Sequence, residues 1–205
     1  ERKEPKCKHL LVAPFALRRG MSDHIEAEIR SAQAGGPSGI LLKMNSLEDR
    51  KIIRRLYEAS QAGVPVQLII RGICCLVPGV PELSESIAAR SIVDRFLEHA
   101  RVFVFHQGGE EVCYLASADW MARNLSHRVE VAFPLYDLEV RREVREMLDL
   151  QLADTAKARV IDAGQRNLYA GDPPHSGLRS QIETYRMLQA RCSVGEQRER
   201  ALAST

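Results

Sequence analysis

Apolar residues in the first third of the chain alternate between strand-like and helix-like spacing, and this alternation limits the possible folds most strongly. Short apolar runs, typical of buried strands, lie at 10–12, 40–42 and 66–70. Between them the spacing becomes helical, first at Ile25 and Ile29 and then at Ile52, Ile53, Leu56 and Tyr57. Strands that alternate with helices over short connections are typical of right-handed crossovers between parallel strands. The sequence therefore predicts an α/β fold with a largely parallel mixed sheet flanked by helices.

Polar residues and glycines mark the expected ends of the first two helices. Ser22 is placed to cap the first helix, which Gly35 and Gly36 close. Ser46, with Asp49 following after one helical turn, resembles a capping box in front of the second helix.

The second half of the chain predicts a hairpin and further helices. A Pro- and Gly-rich loop at 72–85 is followed by a segment, 87–99, that is predicted to be partly helical. Strands are predicted at 102–105, 112–115 and 129–133, and the turn Gln107-Gly108-Gly109-Glu110 joins the first two. Helices are predicted at 138–156 and 179–190.

The length of 205 residues, with 45% hydrophobic and 27% charged, favours one folded domain. We expect that domain at 9–192, a remnant of an upstream segment at 1–8 and a flexible tail at 193–205. The chain begins at Glu1 without a Met, so we expect it to be part of a longer protein. No apolar run approaches the ~20 residues of a membrane span. The five cysteines show no metal or disulfide spacing, which favours the cytoplasm.

The net charge of +2 gives no overall basic field, which argues against nucleic acid as a partner and allows at most peripheral association with a membrane. Within the basic residues, however, 23 are Arg and 6 are Lys. The planar guanidinium binds carboxylate and phosphate through two parallel hydrogen bonds, so this excess is compatible with an anionic substrate. A codon bias towards arginine explains it equally well.

Cationic and polar side chains cluster where predicted strands end. They are Lys43 and Asn45, then Arg71 next to Gly72, then His99 and Arg101. In open parallel sheets, ligands bind beyond the carboxyl ends of the strands. Together these residues predict a cationic cleft with one histidine, suited to phosphate chemistry. That histidine can accept a phosphoryl group, donate a proton or hydrogen-bond a phosphate oxygen.

Two further features accompany this cleft. The stretch from Ser117 to Asn124 contains the only Trp, for which a core position is favoured over stacking on a ligand, and Asp119 can belong to a local capping network. Glu130 interrupts an otherwise apolar strand, and a carboxylate in that position needs a partner such as Arg128 or Arg71.

The pattern around His99 resembles the phospholipase D superfamily, whose signature is His-x-Lys, a later Asp, and Gly-Ser-x-Asn. Here His99-Ala100-Arg101 is followed by Ala116-Ser117-Ala118-Asp119. Arg replaces Lys, Asp replaces Asn, and no Asp stands between the two halves, which argues against hydrolysis of phosphodiesters.

Several runs resemble the long, multidomain bacterial polyphosphate kinases, in the order and spacing of the last, phospholipase D-like domain of that family. They are Leu11-Val12-Ala13-Pro14-Phe15, Lys43-Met44-Asn45-Ser46-Leu47, Ile70-Arg71-Gly72-Ile73-Cys74-Cys75, Arg90-Ser91-Ile92-Val93, Phe96-Leu97-Glu98-His99 and Ser117-Ala118-Asp119-Trp120-Met121. The resemblance implies reversible transfer of the ATP γ-phosphate to inorganic polyphosphate through a phosphohistidine, with Mg²⁺.

The same resemblance implies roles for individual residues. Arg71 and His99 match family residues that bind the nucleotide phosphates, and Glu130 lies in the same pocket. Supporting roles are expected for Lys43, Asn45, Arg101 and Asp119. The phosphorylated histidine and the magnesium-binding arginines of the family belong to the preceding domain. We therefore expect no metal ligands in this chain and no activity from it alone, with His99 as a phosphate ligand or proton donor.

The expected partners are ATP or ADP, inorganic polyphosphate, the rest of the polyphosphate kinase chain and further copies of that enzyme in a homo-oligomer. Two alternatives remain open at this point. One is a phosphodiesterase of the phospholipase D type, and the other is a module that binds polyphosphate without catalysis.

Overall fold

The computed structural model describes residues 7–203, and for 194–203 it describes the backbone alone. The strands are β1 (Leu11–Ala13), β2 (Ile40–Met44), β3 (Val66–Ile70), β4 (Ile87–Ile92), β5 (Val102–Phe105), β6 (Val112–Ala116), β7 (Glu130–Pro134) and β8 (Ala158–Ile161). The helices are α1 (Leu17–Gln33), α2 (Arg50–Gln61), α3 (Ala122–Ser126), α4 (Leu138–Leu152) and α5 (Ser180–Ala203).

All eight strands form one mixed sheet in the order β1-β7-β6-β5-β2-β3-β4-β8, which confirms the α/β class. Only the pairs β2–β3 and β3–β4 are parallel. The five other pairings are antiparallel, so the expectation of a largely parallel sheet is wrong. The physical reason is the connections: parallel neighbours need a long crossover, whereas the tight turn after β5 can join only antiparallel strands.

The prediction of partial helix at 87–99 is also wrong, because Ile87–Ile92 forms the strand β4 between β3 and β8. Its Ala and Arg residues favour helix in isolation, but pairing on both sides outweighs that preference. Strand β8 was not predicted. The loop between β3 and β4 lies where the sequence places it, at 72–85.

The first two helices do not begin where the sequence predicts. Asp49 caps α2, accepting hydrogen bonds from the N–H groups of Lys51 and Ile52, both at 3.1 Å, so Ser46 is not the cap. Helix α1 begins at Leu17, and Ser22 lies within it, where its hydroxyl donates to the Arg18 carbonyl at 2.9 Å. A Ser hydroxyl can accept from a nearby backbone N–H or donate to a nearby carbonyl, and the tertiary position of the chain selects which bond forms.

The sheet separates two hydrophobic clusters. The larger one lies between the sheet and helices α1 and α2, and its bulkiest members include Trp120, Phe103, Phe105, Leu17 and Met21. The smaller one lies on the opposite face beneath α4, around Leu41, Ile69, Val104 and Leu148. Burial on both faces explains why β2 is buried along its whole length.

Trp120 is fully buried, which confirms the core position predicted for it. Its ring packs on Phe103 with the centroids 5.0 Å apart. Its carbonyl accepts hydrogen bonds from the N–H groups of Glu48 and Asp49, both at 2.8 Å. This residue therefore joins the segment after β6 to the segment after β2.

Two expectations concern the chain ends. Helix α5 continues through 193–203, where a flexible tail is expected, and the flexibility of that end stays a prediction. Of the upstream remnant at 1–8, residues 1–6 lie outside the described residues, as do 204–205 of the tail. Among residues 7–203, no helix combines the length and apolar composition that crossing a membrane requires.

We expect Phe103→Ala to lower the free energy of unfolding by about 3–5 kcal/mol, because it leaves a cavity beside Trp120 in the larger cluster. The matched control is Phe133→Ala at a ring that is 41% exposed, for which we expect about 1 kcal/mol or less. Chemical denaturation followed by Trp fluorescence measures both. Equal losses for the two variants would contradict this description of the core.

Candidate functional site

The predicted site residues meet at one edge of the sheet. Strands β2 and β3 run side by side and end there, at Met44 and Ile70. Strand β5 is antiparallel to β2, with Val102 opposite Lys43, so β5 begins at the same edge. Strand β6 ends there and β7 begins there, because β6 is antiparallel to both neighbours. The topology thus assembles residues that are far apart in the sequence.

The Asp119 carboxylate is the centre of this edge. It accepts hydrogen bonds from the backbone N–H groups of Asn45 and Ser46, at 2.8 and 3.2 Å. The Asn45 side-chain amide approaches it at 3.4 Å. The Arg101 guanidinium binds it through two nitrogens, Nε at 3.2 Å and Nη2 at 3.0 Å. Three of the supporting residues predicted from sequence, Asn45, Arg101 and Asp119, therefore form one hydrogen-bonded group.

The charge on Asp119 is stabilised despite its burial. Burial alone raises the pKa of this carboxyl, since it disfavours the charged form. The hydrogen bond and charge of Arg101, together with the N–H groups of Asn45 and Ser46, outweigh burial and hold the pKa below its ordinary value. Asp119 therefore stays ionised and keeps Arg101 in place.

His99 lies on the other side of the Arg101 guanidinium and is exposed. Arg101 Nη1 lies 3.0 Å from His99 Nδ1, and Arg101 Nη2 lies 3.0 Å from Nε2. Nη1 also donates to the His99 carbonyl at 3.0 Å. Arg101 therefore connects the buried Asp119 to the exposed His99, and it contacts both the ring and the backbone carbonyl of His99.

Lys43 is buried and forms an ion pair with Glu98, with Nζ 2.6 Å from Oε2. Gln151 from helix α4 donates to the same oxygen at 2.9 Å. Sequence reasoning placed Lys43 at the edge but found no role for Glu98 or Gln151. Glu98 adjoins His99 in the sequence, and that adjacency was the available signal.

Arg71 differs from the other cations because part of its guanidinium has no partner. In the part of the chain that the structure describes, its Nη1 atom is buried without a hydrogen bond. Its carbonyl accepts from the Ser91 hydroxyl at 3.1 Å, which fixes the backbone. A buried, unsatisfied cationic donor at a strand end indicates a position for an anion.

Gly72 allows the two strand-end loops to approach each other. Its N–H donates to the Asn45 carbonyl at 2.8 Å, and a Cβ added at Gly72 would lie 3.1 Å from the same oxygen. The absence of a side chain therefore brings Arg71 close to the Asp119 group.

Glu130 is half-buried, but the partners predicted for it are wrong. Its carboxylate accepts from the Ser117 hydroxyl and, at 2.7 Å, from the side-chain amide of Asn124 in α3. Neither Arg71 nor Arg128 is bonded to it. The short α3 helix after β6 brings Asn124 there, a proximity that sequence spacing does not reveal.

The described residues do not offer a Mg²⁺ site by themselves. Within residues 7–203 there is no group of three or more His, Cys, Asp and Glu side chains that could hold a metal ion. The carboxylates at the site edge are engaged by Arg101, Lys43, Ser117 and Asn124. All five cysteines are free thiols.

The fold of this chain resembles that of a phospholipase D family member. The crystal structure of Nuc from Salmonella typhimurium, a phospholipase D family member, superposes with a TM-score of 0.53 over 75% of this chain and 96% of that chain. The two sequences are 14% identical, so this likeness shows the fold alone. Within that class, the family model described as polyphosphate kinase C-terminal domain 2 matches residues 10–181, and the chain belongs to this family.

Individual relatives and a crystal structure support this family assignment. The chain is 45% identical over 184 residues to a polyphosphate kinase of Bacillus anthracis, covering 90% of this chain and 26% of that protein. It is 45% identical over 177 residues to that of Escherichia coli K12, covering 86% and 26%. The crystal structure of polyphosphate kinase from Porphyromonas gingivalis has a TM-score of 0.87 at 43% identity, covering 92% of this chain and 29% of that chain. The chain thus spans about a quarter of the length of these relatives.

We expect Asp119→Asn to lower the free energy of unfolding at pH 7 by roughly 2–3 kcal/mol, because Arg101 loses its buried counter-charge. The folded-state pKa of Asp119 lies below that of the unfolded chain, so its contribution is complete above about pH 4 and is lost as the pH falls through the folded-state value. Denaturation of both proteins between pH 7 and pH 3 should show the difference shrinking.

The control for this measurement is Asp149→Asn, which removes an ion-paired carboxylate whose side chain is 53% exposed. We expect an effect below about 0.5 kcal/mol. A loss in Asp119→Asn that stays constant down to pH 3 would contradict a role for the ionised carboxylate.

Proposed function

We propose that this chain is the portion of a polyphosphate kinase that binds transferring phosphates at the sheet edge, in reversible transfer of the ATP γ-phosphate to inorganic polyphosphate. The single observation that carries the proposal is the unsatisfied, buried Arg71 Nη1 at the strand end that adjoins the Asp119 group. Relatives named polyphosphate kinase, at about 45% identity, supply the class of substrate.

Arg71 binds a phosphate oxygen in this proposal. Lys43 and Arg101 already have carboxylate partners, whereas Arg71 Nη1 has none in the described residues. An anion that reaches it gains a charge-assisted hydrogen bond and removes the cost of a buried donor without a partner. Phosphoryl transfer depends on such neutralisation and on in-line positioning.

His99 acts on the transferring or leaving phosphate oxygens. During transfer, the bond from the γ-phosphorus to its bridging oxygen breaks, and a bond to the accepting atom forms. The ADP oxygen that leaves acquires charge, and His99 stabilises it by a hydrogen bond or by donating a proton. Arg101, held by Asp119, orients the ring before substrate arrives. Glu130 lies at the same edge through its place at the start of β7.

The remaining machinery belongs to the parts of polyphosphate kinases that this chain does not cover. We propose that they supply the histidine that becomes phosphorylated and the ligands for Mg²⁺, which neutralises phosphate charge when bound. The isolated chain then binds phosphates without turnover. Support for this division is the chain's coverage of about a quarter of its relatives.

The partners in this proposal are ATP or ADP, polyphosphate, the rest of a polyphosphate kinase chain and further copies in a homo-oligomer, in the cytoplasm. Nucleic acid is not among them.

In a complete polyphosphate kinase that contains this chain, we expect His99→Ala to reduce ATP-driven polyphosphate synthesis by about 10²- to 10⁴-fold, the range for loss of a positioned acid–base group. The control is His175→Asn, which changes an exposed histidine at a positive-φ position that Asn tolerates. Near-normal synthesis by His99→Ala would contradict the role assigned to His99.

The isolated chain should bind short polyphosphate chains without consuming ATP, with an affinity that falls as salt rises. Arg71→Ala should weaken this binding by at least about tenfold, whereas Arg186→Ala, at a side chain that is 66% exposed, should not. Calorimetric titration at two ionic strengths measures both. ATP turnover by the isolated chain, or binding that ignores Arg71, would overturn the proposed division of the site.

A further inference from the structure

The loop at 93–100, between β4 and β5, carries His99 and contributes no residue to either hydrophobic cluster. Val93, Phe96 and Leu97 are 69%, 56% and 81% exposed. In the described part of the chain, no backbone-to-backbone hydrogen bond involves a residue of this loop. A segment with so few contacts is expected to fluctuate unless side chains restrain it.

Helix α5 provides the restraint through the amide of Gln181. Its Nε2 donates to the Phe96 carbonyl and its Oε1 accepts from the Phe96 N–H, both at 2.8 Å. Gln181 is itself buried, at 7% exposure. One side chain thus pairs with both backbone groups of Phe96, as a neighbouring strand would.

Arg179, just before α5, restrains the same loop through Asp94. Its Nε lies 2.7 Å and its Nη2 2.5 Å from the two Asp94 oxygens, which is a two-point ion pair. The Asp94 side chain is only 3% exposed. The hydrogen bond from Arg179 holds the pKa of Asp94 below its ordinary value, so the pair stays charged.

The restraints act at three positions along the loop before His99. Asp94 and Phe96 are held by the start of α5, and Glu98 is held by Lys43 and Gln151. The intervening residues, up to His99, are exposed. These attachments restrain the loop up to Glu98, the residue before His99, whose imidazole lies against Arg101.

We propose that Gln181 and Arg179 are positioning residues for His99, so that the start of α5 belongs to the phosphate site although it touches no substrate. The inference rests on the proposed role of His99. Without these two side chains, only the Glu98 bonds to Lys43 and Gln151 and the Arg101 contacts with His99 restrain the loop. The imidazole then samples positions away from the reacting phosphate. Misplacement of a reacting group by about 1 Å can cost about 10²-fold in rate.

The test uses the complete polyphosphate kinase and three substitutions at one position. Gln181→Met keeps the volume and removes both hydrogen bonds, Gln181→Glu keeps an acceptor for the Phe96 N–H, and Gln181→Ala removes everything. We expect kcat to fall by about 10- to 100-fold in the Met and Ala variants and less in the Glu variant, with KM for ATP little changed. Gln189→Ala, an exposed position on the same helix, is the control.

A double substitution separates positioning from packing. If Gln181 acts through His99, adding Gln181→Met to His99→Ala lowers kcat no further, because residues that act as a unit are not additive. Full activity of Gln181→Met, or a further loss in the double variant, would overturn the inference. If Gln181→Met does not fold, Arg179→Gln at the 39% exposed guanidinium gives the same comparison.

The outcomes for His99 and Gln181 can be told apart. Normal activity of His99→Ala removes the proposed function itself. A severe defect in His99→Ala together with wild-type kcat in Gln181→Met and Arg179→Gln leaves the proposed function in place and removes the role of α5.

Discussion

The buried Asp119 carboxylate is the interaction on which the functional edge depends. It binds the backbone after β2 and the Arg101 side chain before β5, while its own backbone continues from β6. One charge therefore ties together three separate chain segments. Removing it would leave a guanidinium and two backbone N–H groups without their partner, and buried donors without a partner are costly.

The cations at the site differ in their state before any ligand binds. Arg101 and Lys43 are balanced by Asp119 and Glu98, so their charges are fixed in place at the cost of being partly neutralised. Arg71 alone presents a buried Nη1 atom without a partner in the described residues. Rigid, balanced cations orient the site, and the unbalanced donor is left for an anion. This arrangement suits reactions in which the reacting groups must be oriented and the charge of the anion must also be neutralised.

Local sequence patterns predicted the elements with strong apolar periodicity. They missed the elements and contacts that depend on neighbouring strands and helices. Strands β2 and β3 and helix α2 follow from apolar spacing, and His99 and Arg71 follow from their positions at strand ends. The expected role of Asp119 came from the family resemblance. Strand β4 was missed, because its short segment has weak strand preference and is stabilised by pairing on both sides. The partners of Glu130 were wrong because α3 delivers Asn124 from an unexpected direction.

The sequence by itself determined the α/β class, the family resemblance and the identity of the charged residues at the strand ends. These depend on residue type and short-range spacing, which the linear chain contains. Only the tertiary structure decided that most strands pair antiparallel and that Asp119 holds Arg101. It also decided that Gln181 from α5 hydrogen-bonds to the loop that carries His99. Such pairings join residues as far apart in the sequence as Leu11 and Ala132. Their geometry is set by how the sheet and helices pack, and no local pattern encodes it.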